Sequence, residues 1–139
     1  MKGYFEQPEE TAAALFDGWL HSGDVGVFDE EGYLYIIDRI KDVIITGGEN
    51  VYPKEVEDLL HEHPAVNECG VVGLPHPEFG EAVTAFVTLK QDKHADESAL
   101  ISFCKERMAR YKVPKKIRFV SELAKTPQGK ILRRELRKL

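Results

Sequence analysis

Cysteine and methionine are scarce in this chain, with two of each, and tryptophan occurs once. Cys69 and Cys104 are far apart and lack metal-ligand spacing, which excludes a zinc knuckle or ribbon. Cys69 falls in an apolar strand-like run and Cys104 in a helical one, the pattern of reduced core thiols in a cytoplasmic protein. No apolar run approaches the roughly 20 residues of a membrane-spanning helix. No basic segment followed by an apolar core marks a signal peptide. His21, His61, His63, His76 and His94 show no zinc-like arrangement with the cysteines. His61 and His63, two apart, cannot share a helix face. All five are expected to be non-catalytic, and no metal site is expected. A glycine-rich loop of the phosphate-cradling kind is also missing.

What is present describes a soluble globular protein: 42% hydrophobic and 31% charged residues in 139. That length suits one small domain with an appendage. The charge is uneven. Residues 1–40 hold two basic and nine acidic residues, a net of −7; residues 41–104 hold four and twelve, a net of −8. Residues 105–139 hold thirteen and three, a net of +10. A basic C-terminal quarter on an acidic chain implies a local anionic partner, either phosphate or an acidic protein face. A solvated basic helix is the plainer alternative.

Along the chain, Glu9 to Phe16 suits a short helix with Pro8 at its start. VGVFDEEGYLYIID alternates apolar residues around Asp29–Gly32 and reads as a β-hairpin. An isolated hairpin is marginal in water, so this one is expected to join a sheet supplied elsewhere. From Asp42 the pattern is self-sufficient: a strand at Val43–Thr46, a helix at Pro53–His63, and strands at Val66–Leu74 and Ala82–Leu89 joined by a loop with Pro75, Pro77 and Gly80. A helix capped by Asp96 or Ser98 runs to about Arg110, then a strand at Ile117–Val120, a turn at Thr126–Lys130 and a basic helix at Ile131–Leu139. The order predicts a small α+β fold, a short sheet flanked by helices and preceded by the hairpin.

The densest stretch is DRIKDVIITGGENVYPKEVE, Asp38 to Glu57. A charged cluster (Asp38, Arg39, Lys41, Asp42) meets a β run (Val43–Ile45), the pair Gly47-Gly48 frees the backbone, and Pro53 opens an acidic helix. Two more motifs stand out: GWLHSGD, ending in Asp24, and TPQGK, ending in Lys130. Together and in this order they resemble the acyl-adenylate-forming enzymes: acyl-CoA synthetases, aryl-CoA ligases, luciferases and peptide-synthetase adenylation domains. The GGENVYP wording resembles the fatty-acyl-CoA ligase branch. The three motifs cover nearly the whole chain.

The resemblance implies that residues 1–40 are the last piece of a large adenylate-binding domain. Residues 41–139 are then a mobile C-terminal domain with its hinge at Lys41, where backbone freedom matters. The chain reads as a fragment whose larger domain, with its phosphate loop and acyl pocket, lies elsewhere. The implied reaction uses ATP and Mg²⁺, the metal held mainly by the larger domain, to turn a carboxylic (fatty) acid into an acyl-AMP. Coenzyme A then takes the acyl group. Lys130 is the implied catalytic residue: carboxylate and α-phosphate are both anions, and a cation must bridge them in the transition state. Gly129 and Pro127 shape its loop. Asp24 is implied to hold the ribose hydroxyls and Arg39 to contact ribose or phosphate oxygens, with an ion pair to Asp38 or Asp42 as the structural alternative. Gly47, Gly48, Glu49 and Asn50 are implied to line the passage for the pantetheine arm. Many relatives carry a lysine two residues before the diglycine; Ile45 stands here.

Tyr111, Lys112, Lys115 and Lys116 fit either coenzyme A phosphates or a solvated basic edge. Trp19 is expected to pack. Three other readings compete: an adenylation module loading a carrier-protein phosphopantetheine, a nucleic-acid-binding domain using the +10 tail, and a standalone partner-binding domain. The nucleic-acid reading lacks interleaved aromatics for base stacking, and the orphan hairpin argues against the last.

Overall fold

In the computed structural model, which describes residues 1–139, the chain forms two units, Met1–Lys41 and Asp42–Leu139. The first opens with α1 (Pro8–Ala14), which stops two residues short of the expected Phe16. Leu15–Phe16 (β1) instead pairs antiparallel with Trp19–Leu20 (β2). Asp17 and Gly18 both take positive φ, 50° and 77°, as a two-residue hairpin loop requires. The expected larger hairpin follows as β3 (Asp24–Phe28) and β4 (Leu34–Arg39). Its turn is closed by Asp29, whose Oδ1 accepts from the Glu31 amide at 3.0 Å and the Tyr33 amide at 2.8 Å. These local bonds hold the Asp29 carboxyl below its ordinary pKa, the Tyr33 amide contributing most. No hydrophobic residue of this unit is buried. Trp19 is 74% exposed, so within the chain it does not pack as expected.

The connection Ile40–Asp42 is a 3₁₀ turn. The second unit then runs β5 (Ile44–Thr46), β6 (Glu49–Val51), α2 (Pro53–His61), β7 (Val66–His76), β8 (Gly80–Leu89), α3 (Glu97–Lys105), β9 (Lys116–Phe119) and α4 (Arg133–Leu136). β8 is central: β7 pairs with its full length, while β5 meets its start and β9 runs parallel to its middle. Several boundaries differ from expectation. β7 and β8 extend through Pro75 and Gly80, because β7 pairs with β8 alone and a proline is tolerated on such an edge. α3 ends at Lys105, not near Arg110; Arg107 Nη1 donates to the Phe103 carbonyl at 3.0 Å and closes that end. The tail helix covers only Arg133–Leu136, because Ile131 bridges Lys125 and the Leu132 amide bonds the Ala124 carbonyl at 2.8 Å.

The sheet is apolar on both faces. One face packs against α2 and α3 through Val56, Leu60, Leu100 and Cys104. Asp96 caps α3 by accepting from the Ala99 amide at 2.7 Å. The other face carries a smaller cluster of Val72, Phe86, Leu123 and Leu136, with Ile131 against it. Gly70 in β7 permits this second layer: a Cβ there would come within 2.6 Å of Leu136. Both cysteines are buried free thiols. Burial raises the Cys104 pKa to about 11 and pushes Cys69 higher still, with the Glu57 carboxylate adding to the effect on Cys69.

Candidate functional site

Asp24 and Arg39 are neighbours because the hairpin makes them cross-strand partners. Arg39 Nε lies 3.1 Å from Asp24 Oδ1. The ion pair expected as a structural alternative for Arg39 therefore forms with Asp24, not with Asp38 or Asp42. Asp38 instead accepts from the Arg39 amide at 2.8 Å. The pair is open to solvent, with the Arg39 side chain 56% exposed. In this geometry the arginine fixes the orientation of the carboxylate and engages only one of its oxygens.

Gly47-Gly48 is the two-residue loop of the β5–β6 hairpin, with φ of 60° and 86°. Positive φ at both central positions is the requirement of a type I′ turn, so the turn alone accounts for a glycine pair. Glu49 and Asn50 belong to β6, opposite Thr46 and Ile45. The two glycines differ in surroundings. A Cβ on Gly47 would meet the Phe79 ring at 3.7 Å, whereas one on Gly48 would point into open space. The Gly47 amide donates to the Phe79 carbonyl at 2.9 Å, and the Ile45 amide to Glu81 Oε2 at 2.8 Å. These bonds tie the hairpin to the start of β8.

Lys130 ends a closed loop on an exposed part of the second unit. The Thr126 amide bonds the Lys130 carbonyl and the Gly129 amide bonds the Thr126 carbonyl, both at 2.8 Å. The Lys130 amide donates to Thr126 Oγ1 at 3.2 Å. Both hydrogen-bond ends of this short loop are thus used, and the exposed Lys130 side chain is free of them. The diglycine turn and the Lys130 loop occupy different parts of the sheet. The first lies beside Gly80 at the start of β8; the second leads into the tail packed at Gly70 of β7.

Much of the basic tail is neutralised inside the second unit. Lys112 pairs with Glu55, Lys125 with Glu68, Arg133 with Asp42 and Glu57, and Arg137 with Asp42. Arg134 and Lys138 pair with Glu135. The Glu55 carboxylate raises the pKa of Lys112, and Lys138 lowers that of Glu135. Four of the thirteen basic residues of the +10 segment thus find their anionic partner among the acidic residues of 42–68. Among the basic residues of 120–139, Lys130 alone has no carboxylate partner. Lys115 lies 5.1 Å from the centre of the Phe79 ring, and Lys112, placed beside Tyr111, is committed to Glu55. No group of three His, Cys, Asp or Glu residues in the chain is arranged to hold a metal ion.

A short sheet with two helices on one face, a tail on the other and an exposed lysine loop defines a small α+β domain class. Residues 55–130, more than half of the chain, match the family model of the AMP-binding enzyme C-terminal domain, and the chain belongs to that family. It is 57% identical over 136 residues to a long-chain-fatty-acid–CoA ligase of Bacillus subtilis, covering 98% of this chain and 24% of that protein. It is 52% identical over 138 residues to a 2-succinylbenzoate–CoA ligase of Geobacillus kaustophilus, covering 99% of this chain and 28% of the relative. Among solved structures, o-succinylbenzoate CoA synthetase of Bacillus subtilis, in complex with the acyl-adenylate intermediate OSB-AMP, superposes with a TM-score of 0.91 at 43% identity. That match covers 98% of this chain and 28% of the other. The chain therefore spans about a quarter of the length of the curated relatives it matches.

Proposed function

We propose that this chain is the C-terminal part of an AMP-forming acyl-CoA ligase. Its parent activates a carboxylic acid with ATP and Mg²⁺ and passes the acyl group from acyl-AMP to coenzyme A. Lys130 is the adenylation lysine and Lys41 the pivot. The Arg39-oriented Asp24 carboxylate takes the ribose hydroxyls through its remaining oxygen. One observation carries the reading of Lys130: it is the single cation of the final twenty residues left without a carboxylate, held out on a closed, exposed loop. An ammonium on a long stem suits the two anions that meet when a carboxylate attacks an α-phosphate. The thiol passage falls to Gly48, which faces open space; Gly47 is accounted for by the turn and Phe79. The choice of acid lies outside this segment. Identities of 57% and 52% to ligases named for two different acids support that view, and a fatty acid is the finer reading.

The test joins this chain to the remaining three quarters of the Bacillus subtilis ligase and introduces Lys130→Ala. ATP–pyrophosphate exchange should fall by about 100- to 1,000-fold, the scale of one lost electrostatic group at a transition state. Thioester formation from supplied acyl-AMP should persist. Equal loss in both half-reactions would refute the assignment.

A further inference from the structure

Three residues on from Lys130, the chain enters a buried charge network that the roles above do not use. Arg133 Nη2 lies 2.9 Å from Glu57 Oε2, and its Nε is 3.3 Å from Oε1. Its Nη1 is 3.3 Å from Asp42 Oδ2. Asp42 Oδ1 takes Arg137 Nη2 at 3.1 Å. Glu57 Oε1 also accepts the Val71 amide of β7 at 2.9 Å. The Glu57, Asp42 and Arg133 side chains are only 12%, 13% and 17% exposed. Each of the two carboxylates faces a guanidinium, so neither is buried without a compensating neighbour.

The positions of these residues matter more than their number. Asp42 is the residue after Lys41 and leads into β5 and the diglycine turn. Glu57 sits on α2, just beyond β6. Arg133 directly follows the Lys130 loop. Apolar contacts of Ile131 and Leu136 at Gly70 already seat the tail on the sheet. Such contacts are non-directional and tolerate sliding, whereas a forked guanidinium fixes angle and register. Buried ion pairs are also poor sources of net stability compared with apolar replacements. A device that sets geometry is the better account of their presence here.

We propose that Arg133 is a positioning residue which, through Glu57 and Asp42, holds the Lys130 loop in fixed register to the residue beside the pivot. This rests on the reading of Lys130 and Lys41 given above. The network makes the second unit a rigid lever, so that a swing at residue 41 is delivered to the lysine without slack. The loop depends on it more than the diglycine hairpin does. That hairpin is tied to β8 by backbone bonds, while the Lys125–Ile131 bridge only closes the loop on itself, and the loop reaches the sheet through the solvent-facing Lys125–Glu68 pair and the tail.

The experiment has two arms. In the 139-residue chain, amide exchange is followed in Arg133→Lys, which keeps the charge and loses the fork, and in Asp42→Asn, an isosteric change at the edge of the network. Exchange of the Thr126 and Leu132 amides should rise roughly tenfold, while the β7–β8 amides stay protected. Unchanged loop amides, or a parallel rise at every amide, would overturn the proposal. In the joined ligase, the same variants should lower kcat of adenylation by about 10- to 100-fold, the scale of an ångström-level misplacement. KM for ATP and the thioester step from supplied acyl-AMP should hold within about twofold of the unmodified ligase if positioning alone is lost. Freed loop amides with full adenylation would also overturn it. Full adenylation by Lys130→Ala would instead defeat the functional reading and leave the exchange result standing.

Discussion

Met1–Lys41 and Asp42–Leu139 both form hydrogen-bonded strands, yet only the second buries apolar side chains. In the hairpin of the first unit, Val27, Phe28, Leu34, Tyr35 and Ile36 are all more than half exposed. In the second, Val71, Val72, Val83, Ala85, Phe86 and Val87 are inaccessible. The difference separates two things that sequence patterns confound. Turn residues and alternation specify a strand pair locally. Burial is what stabilises it, at about 25 cal/mol for each Å² of apolar surface removed from water. The first unit has the specification without the burial.

The sharpest way to break this comparison is to cut the chain after Lys41. Residues 42–139 alone should show a cooperative thermal transition by circular dichroism. Residues 1–41 alone should show none, because isolated hairpins are marginal in water. Dispersed amide signals and cooperative melting from the shorter peptide would contradict the account of the exposed faces.

Point substitutions sharpen the contrast at smaller scale. Leu60→Ala removes a fully buried side chain between α2 and the sheet, and should cost about 2–5 kcal/mol in urea denaturation of the whole chain. Ile36→Ala removes a comparable side chain from the exposed hairpin, and should stay within about 0.5 kcal/mol. Similar costs at the two sites would mean that the hairpin's apolar residues contribute to the chain's stability as they stand.

Legibility in the sequence followed the same division. The second unit's long strands and amphipathic helices were readable, because a strand buried on both faces leaves a continuous apolar run and a helix buried on one face leaves a 3.6-residue period. The GWLHSGD, diglycine and TPQGK motifs marked the residues of interest, and the chain's family follows from the match of residues 55–130 to the family model. Two short hairpins were missed although each had a readable signal. Asp17-Gly18 and Gly47-Gly48 are both two-residue loop pairs flanked by apolar residues. Running the helix on to Phe16, just before the first pair, and reading the second only as a ligand passage hid strands β1, β2 and β6. The Asp42–Arg133–Glu57 network was not readable, since its members come from three distant segments and no local periodicity links them. The same holds for the Asp24–Arg39 pair, whose partners become adjacent only once the hairpin register is set.

The smallest expected effect tests whether the hairpin's turn depends on the rest of the chain. Asp29 has its pKa lowered by groups of its own hairpin, chiefly the Tyr33 amide, then the Tyr35 hydroxyl and the Glu31 and Gly32 amides. A lowered pKa means that the ionised form supports the folded turn. That support is present above the ordinary value of 3.8 and is lost as pH falls through the lowered one. A carboxyl NMR titration of the whole chain should therefore find Asp29 below 3.8. In residues 1–41 alone, where the turn is expected to open, it should return to the ordinary 3.8. The same depressed value in both would show that the turn closes by local bonds alone. The first unit's hairpin would then need no second body to form, only to be held.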